Sequence, residues 1–150
     1  MNTATMNDRL MKGQLMQTSG EVTVSKGRLW TGRIVSGLSA AFLLMDGVMK
    51  LFKPAVVVEG TVKLGYPEAV IVPLGIVLTL CTLLYIFPRT AVLGAMLLTG
   101  YLGGAVATHV RASGSAFEIL FPVIFGCLVW GGLWLRDERL QRLAPLTSQN

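Results

Sequence analysis

Apolar residues run through this chain in four long stretches separated by short polar punctuation. Trp30–Phe52, Ala69–Phe87, Thr90–His109 and Phe117–Leu135 each approach the roughly 20 residues needed to cross a bilayer core. The pattern predicts an all-α polytopic membrane protein, with four transmembrane helices in an antiparallel bundle. Pro88-Arg89-Thr90 leaves room only for a tight hairpin between the second and third spans. Pro73 and Pro122 fall near the starts of their spans, where a missing N–H does least harm. The longer connection Lys53–Glu68 contains the apolar run Ala55–Val58 and reads as a short interfacial helix or a lid on the bundle rim. Residues 1–29 read as a disordered cytoplasmic tail, 30–135 as the membrane domain and 136–150 as a second cytoplasmic tail.

Within the first span the polar positions are not scattered. At about 100° per residue, Ser36, Ser39, Leu43, Asp46, Lys50 and Lys53 share an arc of roughly 100°. Ile34, Leu38, Ala41, Met45, Val48 and Phe52 occupy the opposite arc, which reads as lipid-facing. A carboxylate at the centre of a membrane helix costs about 2.5–3.5 kcal/mol on insertion scales, so Asp46 needs a partner or a task. Lys50, one turn further on, supplies the simplest partner.

The third span is rich in small residues. Gly94, Leu97, Tyr101, Gly104 and Thr108 share one face, while Met96, Gly100, Gly103 and Ala107 lie nearly opposite. Gly94, Gly100, Gly103 and Gly104 are therefore expected to let other helices approach closely. This places the third helix at the centre of the bundle or between the bundle and a partner subunit.

Composition narrows the class further. Hydrophobic residues make up 53 % of the 150 residues and charged residues only 14 %, against about 25 % in soluble proteins. The net charge of +5 comes from Lys and Arg flanking the spans, not from one basic patch, so it indicates membrane topology and not nucleic acid. Nine of the thirteen Lys and Arg residues flank the side that carries the two chain ends, which places both termini in the cytoplasm. Trp30, Tyr85 and Trp134 then fall at the cytoplasmic interface, as amphipathic aromatics do. Cys81 and Cys127 lie inside apolar spans without a CxxC spacing, and no His/Cys cluster suggests a metal.

With that topology the outer ends of the spans collect the ionisable groups. Asp46 and Lys50 come from span one, Tyr66 from the loop, Tyr101, Thr108, His109 and Arg111 from span three, and Glu118 from span four. His109 is the only histidine, able to transfer protons near neutral pH. An outer-leaflet pocket containing Asp46, Lys50, Tyr101 and His109 would suit a polar headgroup or a quinone ring, or a proton relay. The plainer readings are a local Asp46–Lys50 pair and headgroup contacts for His109 and Arg111. No nucleotide, metalloprotease or nucleophile-elbow motif is present, so the sequence offers no self-contained active site.

Five segments carry a family resemblance: SGLxxxFLLxDGVMKLxKP (Ser36–Pro54), VVEGTVKLGYPE (Val57–Glu68), PLGI (Pro73–Ile76), FPRTAVLGAMLLTGYLGGAVATHVR (Phe87–Arg111) and LFPVIFGCLVWGGLWLRDERLQRL (Leu120–Leu143). Together they resemble the DoxX-like family of small bacterial membrane proteins. The resemblance implies a four-helix bundle in the bacterial cytoplasmic (inner) membrane. It also implies an association with membrane redox complexes, since the family is named after a small subunit of a thiosulfate:quinone oxidoreductase. The leading expectation is thus an accessory subunit of a redox or quinone-linked system, with the lipid bilayer and either redox subunits or further copies of the chain as partners. The competing classes are an assembly factor or chaperone that holds partner helices on the glycine-rich faces, and a small-molecule or proton carrier.

Overall fold

The computed structural model describes residues 26–137 and residue 140. Most of the tail expected over 1–29, and most of that over 136–150, lies outside the described residues. The chain forms α1 (Lys26–Phe52), a short helix α2 (Ala55–Lys63), a 3₁₀ turn (Glu68–Val70), α3 (Ile71–Ile86), α4 (Ala91–Arg111) and α5 (Ala116–Arg136). α1, α4, α5 and the 3₁₀ turn together with α3 are each long and apolar enough to cross a membrane.

The four long helices form a ring in which α1 packs on α3 and α5, and α4 packs on the other sides of α3 and α5. α4 therefore sits diagonally across from α1, and no helix occupies a centre. Of the two placements expected for the third span, this arrangement rules out the central one. α1 follows the predicted division: Ser36, Ser39 and Leu43 are buried, while Leu38 and Phe52 are 68 % and 82 % exposed. Both ends of the described bundle chain lie together, since the Arg28 guanidinium stacks 4.5 Å from the centre of the Trp134 ring. We call this the tail end and the opposite end, over which α2 lies, the lid end.

At the tail end the core closes on Tyr85, which has no solvent exposure. Its hydroxyl lies 2.9 Å from the Val129 carbonyl and 3.0 Å from Ser36 Oγ. A carbonyl can only accept, so Tyr85 donates to Val129 and Ser36 can donate to Tyr85. Arg136 Nη2 donates to the Tyr85 carbonyl at 3.0 Å, and its guanidinium lies 4.9 Å from the ring centre. Gly94 of α4 packs directly against the Tyr85 backbone, with no room for a Cβ. One residue of α3 is thus tied to all three other helices. Tyr85, expected near the interface as an amphipathic aromatic, spends its hydroxyl on partners inside the bundle.

Within this chain the third span's glycines divide in two. Gly94 behaves as expected, but a Cβ at Gly100, Gly103 or Gly104 would meet nothing within 4 Å. The tight seams use other glycines. Gly132 lies against Ser36, and Gly75 would bring a Cβ within 2.8 Å of Lys50 Cβ and 2.9 Å of the Gly47 carbonyl. Most hydroxyls in the spans donate to the carbonyl four residues earlier, as Ser39, Thr79, Thr82 and Thr99 do. Polar side chains are satisfied there without water.

Gly94→Ala is expected to lower bundle stability by about 1–3 kcal/mol, the cost of overpacking a closed seam. Gly103→Ala, with open space around it, should be neutral or stabilising by about 0.5–1 kcal/mol through helix propensity. Reversible unfolding of the two variants in detergent micelles measures the contrast; equal effects would mean that the α3–α4 seam is not close-packed.

Candidate functional site

The lid end is built differently. α1, α3, α4 and α5 part around a cavity of about 790 Å³, covered by α2. That volume lies within the range of about 300–1,000 Å³ typical of small-molecule sites. Of the eight polar residues singled out in the sequence, Asp46, Lys50, Tyr66, Tyr101, Thr108, His109 and Glu118 line it. Arg111 does not: its Nη2 donates to the Leu64 carbonyl at 3.2 Å, and its guanidinium lies 5.8 Å from the Tyr66 ring centre.

These residues divide by what already occupies them. Lys50 Nζ lies 2.5 Å from Asp46 Oδ1, the pairing expected from their spacing, with the side chains 17 % and 38 % exposed respectively. Thr108 Oγ1 donates to the Gly104 carbonyl at 2.9 Å, so Tyr66, 2.8 Å away, donates its own proton to Thr108. Glu118 closes a capping box at the start of α5. Its Oε2 accepts from Ser115 N at 2.7 Å, and Ser115 Oγ accepts from Glu118 N. Tyr66, Thr108, Arg111 and Glu118 therefore hold the frame of the site.

Asp46, Lys50, Tyr101 and His109 are left facing the cavity with capacity to spare. The ammonium of Lys50 can donate further bonds, and Asp46 retains a second oxygen. His109 Nδ1 is buried and has no hydrogen-bond partner, a costly condition for a polar atom. Among the lining residues Lys50 and Lys63 balance Asp46 and Glu118 in formal charge.

The same cavity has an aromatic wall that the sequence reading did not single out. The Phe42 ring stacks on Phe125 with centroids 4.6 Å apart, and Phe121 meets Phe42 edge-on at 5.6 Å. Phe117, Phe121 and Phe125 repeat every fourth residue along α5, and Phe42 precedes Asp46 by four; that spacing was the available signal. Lys63 also lines the cavity.

α2 closes the top without being part of the core. None of its residues is buried, while Val57, Gly60 and Thr61 line the cavity. Its two flanks leave the usual backbone regions, Lys53 at φ 48° and Gly65 at φ 85°. Lys53 and Glu68 pair at 3.3 Å across its base. Among the described residues no cluster of His, Cys, Asp and Glu is placed to hold a metal ion. Cys81 and Cys127 are free thiols, the first buried and the second exposed.

A double-mutant cycle of Tyr66→Phe and Thr108→Val should give a coupling of about 0.5–1.5 kcal/mol in the opening of α2. Amide hydrogen exchange of residues 57–65 reads it, and a coupling near zero would mean that the two hydroxyls do not hold the lid.

No match to the chain is found among curated proteins, and none among solved structures. The DoxX-like family matches residues 34–132, from the first turns of α1 through most of α5. That stretch contains the lid, every residue lining the cavity and the Tyr85 contacts to Ser36 and Val129. A multi-pass membrane protein by the hydropathy of its helices, the chain belongs to the DoxX-like family.

Proposed function

We propose that this protein is an accessory subunit of a redox or quinone-linked system in the bacterial inner membrane, and that its lid-end cavity binds a quinone. The observation that carries this reading is that one cavity combines an aromatic wall, Phe42, Phe121 and Phe125, with polar lining residues of zero net formal charge. A quinone is a flat, neutral ring with two carbonyl acceptors on an apolar tail. The ring would lie against the phenylalanines, and its carbonyls would accept from Lys50 and Tyr101. In the reduced form the ring hydroxyls would donate to Asp46 and His109. The chain binds and orients; electrons come from a partner subunit. The excess of Lys and Arg at the tail end supports cytoplasmic termini, which would put the cavity in the outer leaflet.

A transmembrane carrier is less well supported. Toward the tail end Leu78, Tyr85, Leu98, Val129 and Leu133 are each at most 1 % exposed and fill the ring. The hydroxyls of Ser39, Thr79 and Thr82, which a polar path would need, are engaged with backbone carbonyls of their own helices.

Titration of the purified protein in phosphatidylcholine nanodiscs with decylubiquinone tests the reading. Saturable binding is expected, weakened about tenfold by Asp46→Asn or His109→Leu, the scale of one hydrogen bond to a charged or buried group. Arg89→Gln, on the exposed tail-end hairpin, should change nothing. Uptake that rises linearly, as in protein-free discs, would overturn it.

A further inference from the structure

The cavity does more than lie beneath the lid: it reaches the side of the bundle. Gly94, Tyr101, Gly104 and Thr108 share the side of α4 that is turned toward α3. Near the tail end this seam is shut, because Gly94 rests on the Tyr85 backbone. At the lid end it is bridged by the hydrogen bond from Tyr66 to Thr108. Between these two closures Gly104 lies on the seam side, and Gly100, one turn earlier, borders it toward the outside of the bundle; both are exposed and both line the cavity. A Cβ on either would meet nothing within 4 Å, so the gap comes from missing side chains and not from tight packing. Gly103 is a useful contrast. It too is exposed and has open space around it, yet it is not part of the cavity wall.

Inside, the cavity is lined by the Asp46–Lys50 pair, Tyr101 and His109. His109 Nδ1 itself is covered by protein and has no hydrogen-bond partner. Outside, the seam presents apolar side chains: Val77 of α3 is 48 % exposed and Leu97 of α4 is 44 % exposed. The path from lipid to His109 thus runs from apolar to polar surface.

We infer that Gly100 and Gly104 form a side window through which an amphiphile dissolved in the bilayer passes into the cavity, its neutral polar head reaching His109 and the Asp46–Lys50 pair. The apolar part of the molecule trails out along the α3–α4 seam past Val77 and Leu97. Ligand size is therefore not limited by the cavity volume, since only the head has to fit inside. The lid, on this account, keeps water out and does not have to admit the ligand. The inference rests on the ligand-binding reading of the cavity, but the window can be tested without knowing the ligand.

The reporter is a cysteine inside the cavity, placed away from the window. Leu43 of α1 is 3 % exposed and lines the cavity from across the ring. In full-length protein carrying Cys81→Ala and Cys127→Ser, Leu43→Cys is reconstituted into phosphatidylcholine vesicles. It is then labelled with N-cyclohexylmaleimide, which dissolves in the bilayer. Adding Gly100→Leu and Gly104→Leu should slow labelling about tenfold or more, while Gly103→Leu should leave the rate unchanged. Thermal unfolding of each variant checks that the bundle is intact. Equal labelling rates with and without the two leucines, or the same slowing by Gly103→Leu, would overturn the window. Decylubiquinone titration of the same vesicles separates the two ideas. Slowed labelling without quinone binding keeps the window and removes the quinone, and quinone binding with unslowed labelling does the reverse.

Discussion

The bundle depends on what happens at Tyr85. In hydrocarbon there is little hydrophobic force to bring helices together, so packing and interhelical hydrogen bonds must do it. Tyr85 supplies both at one point. Its ring fills the core, its hydroxyl reaches α1 and α5, its carbonyl takes a bond from Arg136, and its backbone receives Gly94. A phenylalanine would fill nearly the same volume but leave Ser36 Oγ and the Val129 carbonyl facing apolar surface. The polar contacts therefore select this packing over alternatives that pure apolar contact would leave similar in energy.

Concentrating the closure at one end has a consequence for the other. Four helices held firmly at the tail end can stand apart at the lid end without losing their arrangement. The space between them is framed by Tyr66, Thr108, Arg111 and Glu118, each of which works on backbone or on another frame residue. Those that remain, Asp46, Lys50, Tyr101 and His109, are spread over α1 and α4, the diagonal pair of the ring. A molecule between them would bridge two helices that pack mainly on α3 and α5. Site and scaffold are in this way separated along the bundle axis.

The spans were legible in the sequence because membrane insertion demands long apolar runs, and the buried arc of α1 was legible because helical period is fixed. The seven cavity residues were legible for a related reason: few polar groups are tolerated at that depth, so those present stand out. Three things were not. Tyr85 looks like an interfacial aromatic, because its partners Ser36, Val129 and Arg136 are 44 to 51 positions away in the chain. Gly100 and Gly104 look like a helix-packing motif, and only the neighbours of a helix tell whether a glycine fills a contact or leaves a gap. The aromatic wall was visible as a four-residue repeat on α5, but Phe42 on α1 completes it, and that pairing is tertiary.

The absence of buried residues in α2 bears on more than access. An ion pair's strength depends on its medium: weak where water reaches it, far stronger where water is shut out. The Asp46–Lys50 pair lies beneath a helix whose attachment consists of a few hydrogen bonds and an exposed ion pair at its base. Small changes in α2 therefore alter the local dielectric around the pair without disturbing the bundle. A lid so attached would set how strongly the charged residues below it act on whatever they face, apart from the fold that carries them.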